Sequence, residues 1–383
     1  MTAAVSQDGR YSGSPTAAGA GYCSPVTDAA AKVDAKRGFP WRKAVQGFIS
    51  VGLVVAIFVF AIPKFASYSQ VWPILKGLSA AQILWLALAQ FLNSATYWTV
   101  YVAALPGLRF WPSAVLIQTN SAIASVLPAG GAFAVGITYK MLGSWGFSNA
   151  SITELIGVSG IWNFGVKLTM PTTSVLLLLA TGVKSHQLTV AAAAGLGICV
   201  VAFAVIGLIL WREQVASALG RFADKVASAF LRPFRKGPVT SLEPAVVDIR
   251  RQTIDVARTR WFWLTCTSIA SQLAGFLVFL LSMRFAGIPA SKASLAVVFA
   301  AFTFGMLAGS VPITPGGLGT ADAVYIAVMV AGGAPSSAAV AGDLIFRALT
   351  YLLPIPAGAI TYVIWQRKKS WLKPGGAQPQ ASA

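Results

Sequence analysis

Residues 293–334 read ASLAVVFAAFTFGMLAGSVPITPGGLGTADAVYIAVMVAGGA, two apolar runs separated by Pro312-Ile313-Thr314-Pro315-Gly316-Gly317-Leu318-Gly319. Prolines and glycines at this density cannot continue a helix. Backbone groups freed in this way are tolerated at membrane depth only inside protein or beside a water-filled cavity. The stretch therefore predicts a re-entrant hairpin, made of two half-helices, within a membrane protein.

Residues 110–140 form a second apolar stretch of the same kind, interrupted by Leu127-Pro128-Ala129-Gly130-Gly131. It predicts a second re-entrant hairpin. The residues expected in the hairpin loops are Pro128, Gly130 and Gly131 in the first, and Pro315, Gly316, Gly317 and Gly319 in the second.

The composition supports a membrane environment, since 56% of the residues are hydrophobic and only 10% are charged. A soluble domain carries charge on about a quarter of its residues. Apolar runs long enough to cross a bilayer lie at 44–63, 79–104, 150–181, 188–211, 261–284 and 343–366. The predicted fold is an all-α polytopic transmembrane helix bundle, which argues against a soluble enzyme.

The distribution of basic residues predicts the orientation. With six crossings and two hairpins, residues 1–43, 105–149, 212–260 and 367–383 face one side and hold 22 of the 29 Lys and Arg residues. Such an excess marks the cytoplasmic side, so both termini are expected in the cytoplasm. No basic stripe interleaved with aromatic residues lies on a soluble stretch, which argues against nucleic-acid binding.

These features predict five regions along the chain. Residues 1–38 form a disordered tail, 39–211 the first membrane half, 212–260 a cytoplasmic linker, 261–367 the second membrane half and 368–383 a second tail. The linker carries apolar residues at helical spacing, which predicts an amphipathic helix on the inner leaflet, with a regulatory lipid or partner site as the alternative. These residues are Val215, Leu219, Phe222, Val226 and Phe230.

Each half contains a spanning helix, a broken hairpin, and a helix with two polar side chains one turn apart. These pairs are Asn163 with Lys167 in the first half and Asp343 with Arg347 in the second. The first unit starts outside and the second inside, which predicts an inverted repeat. Transporters with inverted repeats and broken helices bind substrate near the midplane, where the repeats meet.

Charged residues inside spans are costly and mark functional sites. Asp343 and Arg347 are four residues apart, a spacing that favours an ion pair on one helix face, and Tyr351 continues that face. Two interpretations stay open: the pair only neutralises Arg347, or the Arg347 guanidinium binds a lipid phosphate in a bidentate manner.

Three other intramembrane charges carry open alternatives. Lys167 has no acid three or four residues away, so its counter-charge is expected from an anionic headgroup or from Glu154. Glu154 itself is alternatively explained by its position near the positive end of a helix. The glycine loop before Thr320 offers N–H groups to an anion, whereas Asp322 either occupies that helix end or carries a proton.

No metal site, disulfide or cofactor is predicted. Cys23, Cys199 and Cys266 are isolated, and His186 is the single histidine. A metal centre needs several ligands. A phosphate-binding loop of the form GxxxxGK[ST] is missing, so ATP is not expected to drive transport, and no catalytic residues are predicted.

The segment Thr314-Pro315-Gly316-Gly317-Leu318-Gly319, with Asp322 after it and Arg347 before Pro354, resembles the lysylphosphatidylglycerol synthase transmembrane-region family. The resemblance covers about residues 40–370 and implies an inverted-repeat fold that moves a lipid between leaflets. Family members commonly carry Arg then Glu after the loop, where this chain has Ala321 and Asp322. No segment of this chain resembles a soluble domain large enough to aminoacylate a lipid.

These observations predict a lipid flippase or scramblase in a bacterial plasma membrane, with membrane lipids and a lipid synthase as candidate partners. The alternatives are a scaffold for envelope-lipid synthesis and a lipid-modifying membrane enzyme. The expected headgroup-binding residues are Arg347, Lys167, Asn163 and Tyr351, and the expected charge partners or proton carriers are Asp343, Asp322 and Glu154.

Overall fold

The structure is a computed structural model that describes residues 68–126, 130–180, 259–310 and 317–368, with isolated residues between 197 and 221. All of them belong to one compact unit, Gln46–Ala383. Several sequence predictions lie outside the described residues: the span 44–63, most of the span 188–211, the five apolar linker residues, the tail 1–38 and all but Lys368 of the second tail. Pro128, Pro315 and Gly316 also lie outside.

The described part of the chain is helical. The helices are α1 Tyr68–Lys76, α2 Ala80–Ala104, α3 Phe110–Val126, α4 Gly130–Ser144, α5 Asn149–Ala180, α6 Trp261–Phe285, α7 Leu295–Gly309, α8 Thr320–Ala331, α9 Ser336–Arg347 and α10 Pro354–Arg367. A π-helical turn, Ala348–Leu352, joins α9 to α10. The helical prediction for the membrane part is therefore confirmed where the structure describes it.

Three helical segments have the length and composition to cross a membrane: Asn149–Ala180, Trp261–Phe285 and Ser336–Arg367. The last begins seven residues before the predicted start at 343, because α9, the π-helical turn and α10 follow one another without a break. Helix α2 also matches its predicted span in length, with 25 residues. Its apolar sequence is interrupted by Gln90, Asn93 and Ser94.

The two stretches predicted as hairpins each consist of two short helices packed on each other. Helices α3 and α4 have 17 and 15 residues, and α7 and α8 have 15 and 12. A helix needs about 20 residues to cross the hydrocarbon core. Glycines allow the close approach, since a Cβ on Gly130 would lie 2.6 Å from the Ala124 backbone and one on Gly317 would lie 2.7 Å from Gly309 Cα.

Packing of the two halves centres on α2 and α6, which lie against each other. In the second half, aromatic rings from four helices pack against one another, some edge to face and some tilted. Phe279 contacts Phe346 at 5.2 Å between ring centres and Tyr325 at 4.9 Å. Gly305 leaves room for the Tyr325 ring, whose atoms would lie 2.2 Å from a Cβ at that position. This core fixes α8 and α9 beside α6.

The outward faces of the helices are apolar. Leu84 on α2 is 70% exposed, Leu179 on α5 66% and Ile360 on α10 62%. Large apolar patches of this kind mark a protein or membrane contact surface. Together with the spanning helices, they match a chain that is solvated by lipid.

Candidate functional site

A cavity of about 420 Å³ lies where the two halves of the described bundle meet. Helices from both halves line it, and so does the π-helical turn. Fifteen of its lining residues are polar: Gln90, Asn93, Ser94, Tyr97, Gln118, Ser121, Ser125, Asn163, Lys167, Ser271, Gln272, Tyr325, Arg347, Thr350 and Tyr351. Among the described residues, the lining includes two cations and no acid. The cavity wall therefore carries positive charge and combines polar with apolar side chains.

Lys167 lies near the middle of α5 and lines this cavity. Within the described part of the chain, no acid forms an ion pair with its ammonium group and no hydrogen bond to it is found. Glu154 is not its partner, because thirteen residues of the same helix separate them by about 20 Å. This distance excludes Glu154 as the counter-charge of Lys167 and leaves the anionic headgroup as a prediction.

Asn163 lies one turn before Lys167 and joins α5 to α6. Its Oδ1 accepts a hydrogen bond from Gln272 Nε2 at 3.2 Å, and both side chains are buried. The bond fixes the Asn163 amide at the cavity wall. It also explains why a polar side chain stands on α6 at this level.

Arg347 closes the cavity from the second half. Its Nε donates to Asp322 Oδ1, its Nη2 donates to the Gly317 carbonyl at 3.4 Å, and the guanidinium lies 5.6 Å from the centre of the Tyr325 ring. The predicted pairing with Asp343 is wrong, since the described ion pair of Arg347 is with Asp322. Folding of the second hairpin brings α8 to the Arg347 side chain, which spacing along α9 alone does not reveal.

Asp322 occupies the N-terminus of α8. Its Oδ2 accepts a hydrogen bond from the Gly319 N–H at 2.6 Å. A carboxylate at this position stabilises the positive helix end. Of the two predicted uses of this helix end, the structure places the Asp322 carboxylate there, so the Gly319 N–H is not available to an external anion.

Tyr351 lies in the π-helical turn, and its hydroxyl donates to the Ser125 carbonyl at 2.6 Å. The turn arises next to Pro354, and the Leu353 N–H bonds to the Ala348 carbonyl five residues earlier. Such π-turns are frequent at functional sites. Arg347 and Tyr351 thus connect one helical segment to the ends of both hairpins, at Gly317 and at Ser125.

The remaining predicted residues lie outside the cavity lining. Glu154 is in the second turn of α5, beyond the first turn in which a carboxylate interacts with the positive helix end. At the helix end itself, the Ser148 hydroxyl accepts a hydrogen bond from the Ser151 N–H at 3.2 Å. The predicted role of Glu154 at the helix end is therefore wrong. Gly130 and Gly131, predicted in the first hairpin loop, instead form the start of α4, because the chain resumes a helix directly at Gly130. Gly319 precedes α8 with a φ of 84°. Asp343 is buried beside Asp322 and Arg347.

Sequence reasoning missed most of the polar cavity wall, and a signal for it exists. On α2, Gln90, Asn93, Ser94 and Tyr97 recur at helical spacing within an apolar run. Uncharged polar stripes also run along α3, through Gln118, Ser121 and Ser125. The site was predicted from charged residues and their neighbours on the same helix, so the prediction did not include these stripes.

A bundle of apolar helices that faces lipid and encloses a cationic, polar cavity is an integral membrane protein. The family model for the lysylphosphatidylglycerol synthase transmembrane region matches residues 47–358. The chain belongs to this family, and the predicted resemblance is confirmed. No curated protein matches the chain.

Proposed function

We propose that this protein is a lipid flippase or scramblase that moves a phospholipid, or a lipid-linked headgroup, between the leaflets of a bacterial plasma membrane. The observation that carries the proposal is Lys167. It faces the central cavity without a described counter-charge, and a half-buried cation without a partner is costly in a membrane protein. The phosphate of a lipid headgroup supplies that counter-charge.

The remaining cavity wall suits a headgroup. Its volume of about 420 Å³ lies within the range of roughly 300–1,000 Å³ that small-molecule sites occupy. Asn93, Gln118 and Ser121 offer hydrogen bonds to hydroxyl or ester oxygens. Acyl chains stay in the bilayer along the apolar outer faces. Arg347 binds the phosphate together with Lys167 when its own bonds to the second hairpin open.

An inverted repeat with re-entrant hairpins is part of the proposal. Matching helix pairs are in contact: α3 with α10 and α7 with α5 across the two halves, and α4 with α5 and α8 with α9 within them. A hydroxyl pair bridges both equivalent crossings, Thr119 with Thr361 at 3.0 Å and Thr303 with Ser174 at 3.2 Å. Such repetition supports two units of one ancestral fold.

The turns of the two halves also correspond. Gly107 and Gly287 connect the first helix of each half to its hairpin, with φ of 85° and 90°. Gly146 and Gly333 connect each hairpin to the following helix, with φ of 95° and 100°. Left-handed glycines at equivalent places indicate equivalent chain reversals. In this arrangement each hairpin returns to its starting side.

Leaflet exchange tests the function. Purified protein in liposomes receives a fluorescent-headgroup phosphatidylglycerol reporter, which is quenched from outside, and the wild type is compared with Lys167→Gln. Exchange is expected to fall about tenfold or more, since a bond to a charged group contributes about 1.5–3 kcal/mol. Lys76→Gln is the matched control, because Lys76 is exposed on α1 over the Trp72 ring. Wild-type vesicles that equal protein-free vesicles for anionic and zwitterionic lipids alike contradict the proposal.

A further inference from the structure

Asp343 is a buried carboxyl group that the cavity does not reach. It is 1% exposed, and its Oδ1 has no hydrogen-bond partner in the described part of the chain. Helix α9 packs closely against α6 next to Asp343, since a Cβ on the adjacent Gly342 would lie 2.7 Å from Met283 Sδ. Water therefore does not solvate this group from the α6 side. A carboxyl group in this position needs a specific partner or a proton.

The charged and titratable groups around Asp343 are few. Helix α8 contributes Asp322 and Tyr325, and α9 contributes Arg347. On the other packed helices, Arg284 of α6 donates to the carbonyls of Ile288 and Ala293, and Lys76 of α1 lies over Trp72. The described surroundings thus provide one cation, Arg347, for two carboxyl groups.

That cation is committed to Asp322. Arg347 Nε bonds to Asp322 Oδ1, while Asp322 Oδ2 accepts from the Gly319 N–H. Asp343 lies one turn before Arg347 on α9, so its carboxyl group is next to the Arg347–Asp322 pair. Ionised carboxylates only accept hydrogen bonds, so a bond between two carboxyl groups contains a proton. Two adjacent buried carboxylates do not both ionise.

We infer that Asp322 and Asp343 form a proton-binding site whose occupancy is linked to the partner of Arg347. The linkage rests on the proposed function. With Arg347 bound to Asp322, the pair of carboxyl groups holds one proton and the cluster is neutral. When a headgroup phosphate draws Arg347 away, a second proton moves from water onto an Asp322 oxygen and forms an O–H bond. It returns to water when the phosphate leaves and Arg347 rebinds. Headgroup movement is thereby coupled to one proton.

Infrared spectroscopy of the purified protein tests the proton site without any transport. The wild type is expected to show the C=O stretch of a buried carboxylic acid, which Asp343→Asn removes. Glu154→Gln is the control, because Glu154 is an intramembrane acid outside the cluster, and it is expected to keep the band. Asp322→Asn serves as a second variant if Asp343→Asn does not fold. It also loses the band, because the remaining carboxylate then pairs with Arg347. A missing band in the wild type, or an unchanged one in both variants, overturns the inference.

A second measurement tests the coupling. Wild-type proteoliposomes carry a pH-sensitive dye in the lumen while reporter phosphatidylglycerol moves from one leaflet, with protein-free vesicles as the blank. About one proton is expected to move per lipid. An unchanged lumen pH during lipid movement overturns the coupling and leaves the proposed function intact. If no lipid moves, the proposed function and the coupling both fail, whereas the infrared band still decides on the proton site.

Discussion

At the scale of single residues, a few side chains hold the loop ends of the hairpins to one helical segment. Arg347 bonds to the Gly317 carbonyl, and Tyr351 bonds to the Ser125 carbonyl. Ser125 is in the last turn of α3, where carbonyl groups have no partner within the helix. In a membrane, such a carbonyl needs a donor from another element. These two side chains therefore control how easily either hairpin separates from the α9–α10 segment.

Tyr351→Phe removes the donor to the Ser125 carbonyl and leaves the ring in place. An unsatisfied buried acceptor costs about 1–3 kcal/mol, so the last turn of α3 is expected to fray and its amides to exchange hydrogen for deuterium faster. Tyr362→Phe is the matched control, since the Tyr362 hydroxyl accepts only from Gln366 of its own helix among the described contacts. Equal protection of residues 122–126 in the Tyr351→Phe protein and the wild type would count against this role.

At the residue level, the positions of the intramembrane charges could be read from the sequence, whereas the partner of Arg347 could not. The cost of burying charge singled out five residues, and two of them, Lys167 and Arg347, line the cavity, whereas Glu154, Asp322 and Asp343 do not. The partner of Arg347 was missed because Asp322 is 25 residues away and meets it only after the second hairpin has folded. Spacing on one helix reports local pairs and carries no information on this contact.

At the scale of elements, the two pairs of short helices are the parts whose positions the sequence predicted best. Proline and glycine clusters placed them within 110–140 and 293–334, and the observed helix pairs run from 110 to 144 and from 295 to 331. Proline ends a helix through its own ring and its missing N–H, so this prediction needs no knowledge of tertiary contacts. The π-helical turn at 348–352 was not predicted, because it depends on how Pro354 joins two helices that pack on different neighbours.

The proposed inversion predicts that the chain ends of the two hairpins lie on opposite sides of the membrane. In a protein with Cys23, Cys199 and Cys266 replaced by Ser, Ala150→Cys follows the first hairpin and Ser291→Cys precedes the second, and both positions are exposed. A membrane-impermeant thiol reagent added outside intact cells is expected to label only Ser291→Cys. Labelling of Ala150→Cys requires permeabilised cells. If both cysteines react from the same side, the hairpins are not inverted.

At the scale of the whole molecule, the site belongs to neither half alone. Lys167 comes from the first half and Arg347 from the second, while polar residues of α2, α3 and α6 complete the wall. The predicted repeat indicated an interface site in general terms. It did not indicate that α2 turns its Gln90–Ser94 stripe inward, because uncharged polar residues also occur where helices merely pack in membranes. Which helices together form the cavity wall can be seen only in the folded structure.

The central claim is that a lipid headgroup enters this cavity, and photo-crosslinking tests it most directly. A phosphatidylglycerol analogue with a photoreactive headgroup is activated in proteoliposomes, and its attachment sites are mapped by mass spectrometry. Attachment is expected at lining residues such as Tyr97 and Gln118. It should be competed by unlabelled phosphatidylglycerol and fall about tenfold in Lys167→Gln. Attachment confined to outward residues such as Leu84 and Leu88, and equal in Lys167→Gln, would contradict the account.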